Sequence, residues 1–295
     1  MIFARGLAPS EGPVLLADSS FAICQMAPPD RGGVSLVSAD GASHRFLAST
    51  GRPNGMAVDA RGDLWVAETD PPALVRVTVD GAVDVVLREC QGQPFLFPND
   101  LCFGPDGALY FTDSGTLFKD FVRDGAVRSD YLTCPVDGRI YRVEPRTRSI
   151  RKLESGGRFT NGIAFGPDGA MYTTETLTGT IHRYEWRDGG PRGKELFANV
   201  LKVSPEQSAS IAGPDGMAFG RDGRLYVAVF GQGDVTVLSP RGHVLDRIPT
   251  ESPMPTNVAF GPPGSRRIVV TEMARGEMET FEVGVDGHPL LAGQD

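Results

Sequence analysis

The sequence lacks the features on which several common functions depend. No apolar run approaches the 18 residues that a membrane-spanning helix requires. The net charge is -8 and no basic block occurs, so nucleic acid is not an expected partner. The first ten residues show neither the apolar core nor the cleavage pattern of a secretory signal. These absences predict a cytoplasmic protein with no membrane or nucleic-acid partner.

Residues for several kinds of catalysis are also scarce. The four cysteines, Cys24, Cys90, Cys102 and Cys134, have no C-x-x-C spacing and lie at unlike places in the sequence, which indicates reduced thiols of a cytosolic protein. One or two disulfides in an exported protein are the alternative. There are only four histidines and no suitable Ser-His-Asp pattern, so nucleophilic catalysis has no support. No glycine-rich phosphate loop follows a strand and opens a helix, which leaves nucleotide binding without support.

Glycine and proline, in contrast, are abundant, with 37 and 23 residues. Such a composition is natural for a turn-rich all-β protein. A short pattern of a polar residue, an apolar strand, an Asp-Gly turn and a second apolar strand recurs along the chain. Its copies begin at Glu11, Asn54, Asn99, Asn161, Asp215 and Asn257. The spacings run from 42 to 62 residues, a period typical of propeller blades.

We therefore predict one all-β domain over residues 1–295, a six-bladed β-propeller with four strands per blade. The turns between the first two strands, such as Gly104-Pro105-Asp106-Gly107, favour hairpins because glycine adopts positive φ without strain. The N-terminal run Ile2-Phe3-Ala4-Arg5 is expected to add an outer strand to the last blade and so close the ring. The competing candidate for that place is His288-Pro289-Leu290-Leu291.

The six residues that open the copies should surround one end of the central channel. Two of them are carboxylates and four are amides, an oxygen-only set that suits Ca²⁺, Mg²⁺ or Mn²⁺. The alternative is that these residues only form turns, since Asn and Asp before Gly are common turn residues. Against that alternative stands Glu11, because glutamate is a poor turn former.

The chain resembles the gluconolactonase and senescence-marker-protein (regucalcin) family of six-bladed propellers. Four motifs carry the resemblance, in order and at blade spacing: Glu11-Gly12-Pro13-Val14, Pro98-Asn99-Asp100, Thr160-Asn161-Gly162-Ile163-Ala164-Phe165 and Pro214-Asp215-Gly216-Met217-Ala218. The resemblance implies one catalytic divalent metal ion held by Glu11, Asn99, Asn161 and Asp215. We expect Ca²⁺, with Zn²⁺, Mn²⁺ and Mg²⁺ as alternatives.

The activity implied by the resemblance is hydrolysis of a lactone. The metal would polarise the carbonyl as a Lewis acid and activate water, and Asp215 could accept the proton from that water. Asp113, at the end of the second strand of the same blade as Asn99, is a second candidate for that catalytic role. Its alternative reading is a carboxylate satisfied by the backbone amides of Ser114 and Gly115.

One position departs from the family pattern. Sugar-lactone members from animals carry an arginine two places before the third-blade asparagine, where this chain has Phe97. The insertion over residues 115–136 adds further aromatic residues, namely Phe118, Phe121 and Tyr131. We expect Asn99 and these aromatic residues to contact the substrate, and a less polar lactone or ester to be preferred.

Three other functions are compatible with the same pattern. They are a phosphotriesterase-like or other hydrolase on the same metal site, a strictosidine-synthase-like protein that needs no metal for its chemistry, and a propeller that binds a ligand without catalysis. Metal content and a substrate panel would separate these possibilities. The oligomeric state does not follow from the sequence.

Overall fold

The computed structural model describes residues 1–26, 32–187 and 190–292, and most of these residues belong to β-strands. The strands, in chain order, are β1 (Ile2–Ala4), β2 (Ser10–Leu15), β3 (Phe21–Gln25), β4 (Gly32–Val37), β5 (His44–Val58), β6 (Leu64–Asp70), β7 (Pro72–Val77), β8 (Val83–Leu87), β9 (Glu89–Cys90), β10 (Gln93–Pro94), β11 (Pro98–Phe103), β12 (Leu109–Asp113), β13 (Val122–Arg123), β14 (Ala126–Val127), β15 (Gly138–Glu144), β16 (Ser149–Gly157), β17 (Thr160–Phe165), β18 (Met171–Glu175), β19 (Thr180–Arg187), β20 (Gly190–Asn199), β21 (Gly213–Phe219), β22 (Leu225–Phe230), β23 (Asp234–Leu238), β24 (Val244–Pro249), β25 (Pro255–Phe260), β26 (Arg267–Glu272) and β27 (Met278–Glu282). One short helix, α1 (Phe118–Phe121), and one 3₁₀ turn, Pro205–Gln207, accompany these strands.

The strands form an all-β propeller of antiparallel sheets. Four sheets contain four strands each, in the orders β11-β12-β15-β16, β17-β18-β19-β20, β21-β22-β23-β24 and β1-β27-β26-β25. A further sheet is continuous over seven strands, from β2 to β8. The sequence pattern predicts a separate four-stranded sheet for every copy, so the first two copies depart from that expectation.

The long strand β5 causes this departure. Its first part pairs with β4 and its second part with β6, and the change of partner falls between Gly51, opposite Gly32, and Arg52, opposite Asp70. Gly51 has a φ of 141°. A Cβ atom there would lie 2.7 Å from the Asp70 carbonyl oxygen, so only glycine fits where the partner strands change.

The innermost strands contact one another in a closed circle, β2, β5, β11, β17, β21 and β25, and β25 returns to β2. The two chain ends meet in the sheet that completes this circle. β1 pairs antiparallel with β27, which confirms that the N-terminal run supplies the outermost strand of the last blade. Residues 288–291, the competing candidate, form no strand; the His288 N–H instead donates to the Phe219 carbonyl oxygen at 2.7 Å.

Apolar side chains fill the spaces between neighbouring sheets. One cluster joins Trp65, Phe103 and Tyr141 across two adjacent sheets, and others repeat the arrangement around the circle. The side chains of Trp65 and Tyr110 also stabilise the turns between the first two strands, since they donate to the turn aspartates Asp59 and Asp106, at 3.1 Å and 3.0 Å. The core therefore lies between the blades, which leaves the polar ends of the inner strands to face the channel.

The insertion after β12 contains α1 and the β13–β14 hairpin. Among the described residues, no helix is both long and apolar enough to cross a membrane. All four cysteines are free thiols, as expected from their spacing.

Candidate functional site

All six residues that open the repeat copies are buried at one end of the channel. Each is at most 9 % exposed, and Glu11 is only 2 % exposed. The two copies at the chain ends touch directly, since the Asn257 amide Nδ2 donates to Glu11 Oε2 at 3.1 Å. The charge of Asp215 is close enough to raise the pKa of Glu11. The sequence thus correctly predicts a buried polar ring, which we call the hub ring: Glu11, Asn54, Asn99, Asn161, Asp215 and Asn257.

An irregularity in strand pairing helps to place the ring side chains. At Asn54, Asn99, Asn161 and Asp215 the register between the first and second strands skips, so these residues have no partner opposite them. Such bulges redirect a side chain and occur often beside functional sites. The glycine that follows many ring residues also has a packing role. A Cβ atom on Gly55 would lie 2.3 Å from Asp100 Oδ1 of the next blade, so this glycine lets adjacent inner strands approach closely.

Hydroxyl side chains fix the orientation of the ring amides. Asn99 Nδ2 donates to Ser114 Oγ at 2.9 Å, and Asn161 Nδ2 donates to Thr176 Oγ1 at 3.1 Å. Each hydroxyl donates in turn to a backbone carbonyl of the next blade, Thr160 for Ser114 and Pro214 for Thr176. Because the amide nitrogens are engaged in this way, the Oδ1 atoms of Asn99 and Asn161 are left without a hydrogen-bond partner.

Sequence reasoning missed these hydroxyl residues, although a signal for them exists. Thr69, Ser114 and Thr176 each follow a ring asparagine by 15 residues. Thr69 Oγ1 lies 3.5 Å from Asn54 Nδ2 and donates to the Pro98 carbonyl oxygen at 3.1 Å. A repeated Asn and Ser/Thr pair at constant separation can therefore be read from the chain alone.

A third buried carboxylate, Asp100, also lies at the hub ring and was not assigned a role from the sequence. It occupies the place held by glycine after Asn54, Asn161 and Asp215, and it is 6 % exposed. Burial raises the pKa of Asp100 to about 7, although the Leu101 N–H donates to its Oδ1 at 2.9 Å. Burial also raises the pKa of Glu11 and Asp215, and the charge of Asp100 raises both further.

The hub ring fits a divalent cation on two grounds. Two amide oxygens have no hydrogen-bond partner, and carboxylates of raised pKa lie at the same ring. Removing such oxygens from water is unfavourable unless a partner compensates, and a hard cation is a suitable one. Among the described residues, no group of three or more His, Cys, Asp or Glu side chains forms a metal site by itself. The expected ligand set combines Glu11 and Asp215 with the amides Asn99 and Asn161.

Asp113 has a different environment from the hub ring. It is fully buried, and its oxygens accept hydrogen bonds from the backbone N–H groups of Leu96, Phe97 and Gly115 at 2.8–3.0 Å. Burial raises its pKa, and these three hydrogen bonds oppose the rise. This arrangement argues against Asp113 as a catalytic base. It favours the alternative, a carboxylate satisfied by backbone amides, although the donors are Leu96, Phe97 and Gly115 and not Ser114. Its carboxylate holds Phe97 in position.

The insertion brings its aromatic residues onto Phe97, as expected. The Phe97 ring lies 6.1 Å from Phe118 and 5.4 Å from Phe159, and the Phe121 ring lies 4.7 Å from Phe159. Tyr131 packs against the same cluster. Phe97 and Phe159 each stand two places before a ring asparagine, so this cluster, which we call the aromatic wall, borders the hub ring. Its members are Phe97, Phe118, Phe121, Tyr131 and Phe159.

The other end of the channel opens into an apolar cavity of about 410 Å³. It is lined by the far ends of the inner strands, for example Met56, Phe165 and Met217, and by residues 286–292. Asp100 and Asn257 form its boundary toward the hub ring. The channel is therefore polar at one end and apolar at the other.

Two known proteins are similar to this chain in sequence. A gluconolactonase of Zymomonas mobilis subsp. mobilis is 28 % identical over 281 residues, which cover 89 % of this chain and 76 % of that protein. A lactonase drp35 of Staphylococcus aureus is 31 % identical over 151 residues, 51 % of this chain and 41 % of that protein. The second match thus spans less than half of the relative's length.

Solved structures share the fold. A calcium-binding protein, regucalcin, from Agrobacterium tumefaciens superposes with a TM-score of 0.79 at 19 % identity, covering 99 % of this chain and 96 % of that one. A gluconolactonase of Xanthomonas campestris gives 0.77 at 24 % identity, with 97 % and 89 % covered. The family model described as the SMP-30/Gluconolactonase/LRE-like region matches residues 77–274, about two thirds of the sequence. The chain therefore belongs to the SMP-30/gluconolactonase/LRE-like family.

Proposed function

We propose that this protein is a cation-dependent hydrolase that opens a lactone. The hub ring is the observation that carries the proposal, because it places unpartnered amide oxygens and repelling carboxylates together at one buried point. Relatives named gluconolactonase and lactonase drp35 support the reaction class. The structural neighbour named as calcium-binding supports a divalent cation, for which we propose Ca²⁺.

We assign Glu11, Asn99, Asn161 and Asp215 to hold the cation. When bound, the cation supplies Lewis-acid polarisation of the ester carbonyl. Asp215 would accept the proton of the attacking water, because a carboxylate within hydrogen-bond reach of a water molecule can act as a general base. Asp100 adds a third negative charge that favours cation binding. Ser114 and Thr176 keep the amide oxygens of Asn99 and Asn161 directed to the site.

The aromatic wall is the feature from which we infer the class of substrate. We assign Phe97, Phe118, Phe121 and Tyr131 to the side of the site that receives the ring substituent of the lactone, with Asn99 at its base. The rings of Phe118 and Phe159, which pack on Phe97, favour apolar substituents. A small lactone or ester is therefore the expected partner, and a cytoplasmic location belongs to the same proposal.

We also propose that the propeller has six blades. The seven-stranded sheet supports this count, since β5 serves as the outer strand of one blade and the inner strand of the next. The closed circle of six innermost strands supports it as well. On this view the whole chain forms one domain.

A cation titration combined with a lactone panel tests the proposed function. The apoprotein is prepared with a chelator, and Ca²⁺, Mg²⁺, Mn²⁺ and Zn²⁺ are titrated by calorimetry. Glu11→Gln and Asp215→Asn each remove one negative charge with little change of shape, so both should weaken cation binding. Both should also abolish hydrolysis of γ- and δ-lactones. Glu206→Gln, an exposed carboxylate on the 3₁₀ turn, is the matched control and should leave both properties unchanged.

Two results would contradict the proposal. Cation binding and full turnover retained in Asp215→Asn would show that the ligand set is wrong. Binding of a cation without hydrolysis of any lactone, but with hydrolysis of a phosphotriester, would move the reaction class to the alternative hydrolase.

A further inference from the structure

Arg52 occupies in its blade the position that Phe97 occupies in the next one. Each stands two residues before a ring asparagine, Asn54 or Asn99. The position therefore holds a cation in one blade and an aromatic ring in the next. The guanidinium carbon of Arg52 lies 4.0 Å from the centroid of the Phe118 ring, and Phe118 in turn packs on Phe97. Arg52 is thus joined to the aromatic wall beside the hub ring.

The guanidinium of Arg52 is buried without adequate compensation. The residue is 6 % exposed, and its Nη1 has no hydrogen-bond partner. Phe118 covers one face of the group, but a ring offers no acceptor for the N–H bonds in the guanidinium plane. A buried charged donor in this state is unfavourable unless an acceptor is supplied. The described residues supply none for Nη1.

The neighbouring carboxylate of Glu68 accepts no hydrogen bond from Arg52. Glu68 is 1 % exposed and neither of its oxygens has a hydrogen-bond partner of good geometry, although Thr50 and the Arg52 backbone N–H lie nearby. Burial raises the pKa of Glu68 to about 8, so at neutral pH it is mostly protonated. Asp70 acts on Arg52 only through its charge. These carboxylates offset part of the charge of Arg52, but Nη1 still lacks an acceptor at the border of the aromatic wall.

We propose that Arg52 is a substrate-binding residue that pairs with a carboxylate on the ring substituent of the lactone. The proposal rests on the proposed function, because it names the class of substrate that the same site receives. A guanidinium presents parallel N–H donors that match the two oxygens of a carboxylate. The aromatic wall beside it would pack on the apolar part of the same substituent. The preferred substrate is then an acidic lactone with an apolar or aromatic portion.

Benzoate is a suitable probe for this subsite, since it combines an aromatic ring with a carboxylate and does not depend on turnover. We expect calorimetry on the cation-loaded protein to show benzoate binding that Arg52→Met weakens about 10- to 150-fold, equivalent to 1.5–3 kcal/mol for a hydrogen bond to a charged group. Arg52→Lys keeps the charge but loses the paired donors, so an intermediate loss is expected. Arg45→Met, on the exposed part of β5, is the matched control and should bind benzoate normally.

A kinetic comparison extends the test to substrates. A γ-lactone bearing a carboxylate is compared with its methyl ester, and the protein should prefer the free acid in kcat/KM. Arg52→Met should remove that preference, chiefly through KM. If Arg52→Met fails to fold, Arg52→Lys is measured in its place. This variant keeps the charge but not the paired donors, so it should show a reduced preference for the free acid.

The outcomes separate this proposal from the proposed function. Hydrolysis of neutral lactones without benzoate binding, or with equal benzoate binding by Arg52→Met, would overturn the role of Arg52 and leave the lactonase standing. Arginine-dependent benzoate binding without hydrolysis of any lactone would support the subsite and overturn the lactonase.

Discussion

The orientation of the ring amides depends on single hydroxyl groups in the neighbouring strand. Thr176 is 3 % exposed and connects the amide of Asn161 to the backbone of the next blade. Without the Thr176 hydroxyl as acceptor, no hydrogen bond would hold the Asn161 amide with its oxygen directed to the site. The ring thus relies on residues that do not themselves contact a cation.

Replacing Thr176 with alanine should therefore weaken cation binding without removing a ligand. We expect a loss of about 2- to 13-fold in affinity, since one neutral hydrogen bond contributes roughly 0.5–1.5 kcal/mol. Thr176→Ser keeps the hydroxyl and removes only a methyl group, so its cation affinity should stay near that of the unmodified protein. Equal losses in both variants, measured by calorimetry, would show that packing rather than amide orientation matters here.

Glu68 should make the stability of the protein depend on pH. Its pKa rises from an ordinary 4.5 to about 8 on folding, so the folded state binds the proton more tightly than the unfolded state. The stabilisation is therefore complete below about pH 4.5 and is lost as the pH rises through 8.

Glu68→Gln removes this dependence, because glutamine does not titrate. Urea unfolding at pH 6 and pH 9 should show a larger fall in unfolding free energy for the unmodified protein than for the variant. The difference should be a few kcal/mol, since a pKa difference of one between the folded and unfolded states corresponds to about 1.4 kcal/mol. Equal falls in both proteins would mean that Glu68 is ionised throughout this range.

Sequence reasoning located the hub ring but not the charges around it. The ring residues share one place in a repeat, so spacing alone identifies them. The role of Asp100 was not predicted because this residue follows a ring asparagine and stands where other copies have glycine. The role of Arg52 was not predicted because it depends on contact with Phe118, which lies far away in sequence, in the insertion. Contacts between blades set such roles, and no local pattern records them.

At the level of elements, the insertion over residues 115–136 shapes the site most strongly. Its short helix α1 presents Phe118 and Phe121 to the aromatic wall, where Phe118 packs on Phe97 and Phe121 on Phe159. The aromatic content of the insertion predicted this packing. The helix could not be foreseen, since four residues carry too little periodicity to be recognised.

Phe97→Arg should shift the substrate preference toward polar lactones. The unmodified protein is expected to prefer an alkyl or aryl lactone over gluconolactone by about 10- to 150-fold, because burying an aromatic-sized group contributes roughly 1.5–3 kcal/mol. The variant should reduce that ratio in kcat/KM. Phe46→Arg, an exposed residue on β5, is the control and should leave the ratio unchanged. A preference of the unmodified protein for gluconolactone would show that Phe97 does not set specificity.

The continuity of β5 was also beyond sequence reasoning. Each half of this strand pairs like an ordinary blade strand, the first with β4 and the second with β6, and the two halves run on without a turn. Whether two strands join depends on the geometry at Gly51, whose positive φ is visible only in the folded chain.

At the level of the whole molecule, the closure of the ring should control stability. Deleting residues 1–5 removes β1 and leaves the edge of β27 unpaired. It also removes Phe3, whose ring packs 5.6 Å from Phe21. We expect a lower melting temperature and a greater tendency to aggregate.

Phe3→Ala separates the two contributions, because it keeps the backbone pairing and removes only the ring contact. Its melting temperature should fall less than that of the deletion. An unchanged melting temperature in the deletion, measured by circular dichroism, would show that β1 does not stabilise the ring.

The pairing of β1 with β27 also fixes the order in which the molecule can be completed during its synthesis. The other sheets pair strands that leave the ribosome one after another, so each can assemble as it emerges. β1 is made long before β27, yet its Ile2 pairs with Glu279 of that strand. At about 5–20 residues per second, the first strand waits on the order of tens of seconds for that partner. The newborn chain therefore carries an open, unfinished ring until its last sheet emerges, and the hub ring, which needs both Glu11 and Asn257, forms only at that final step.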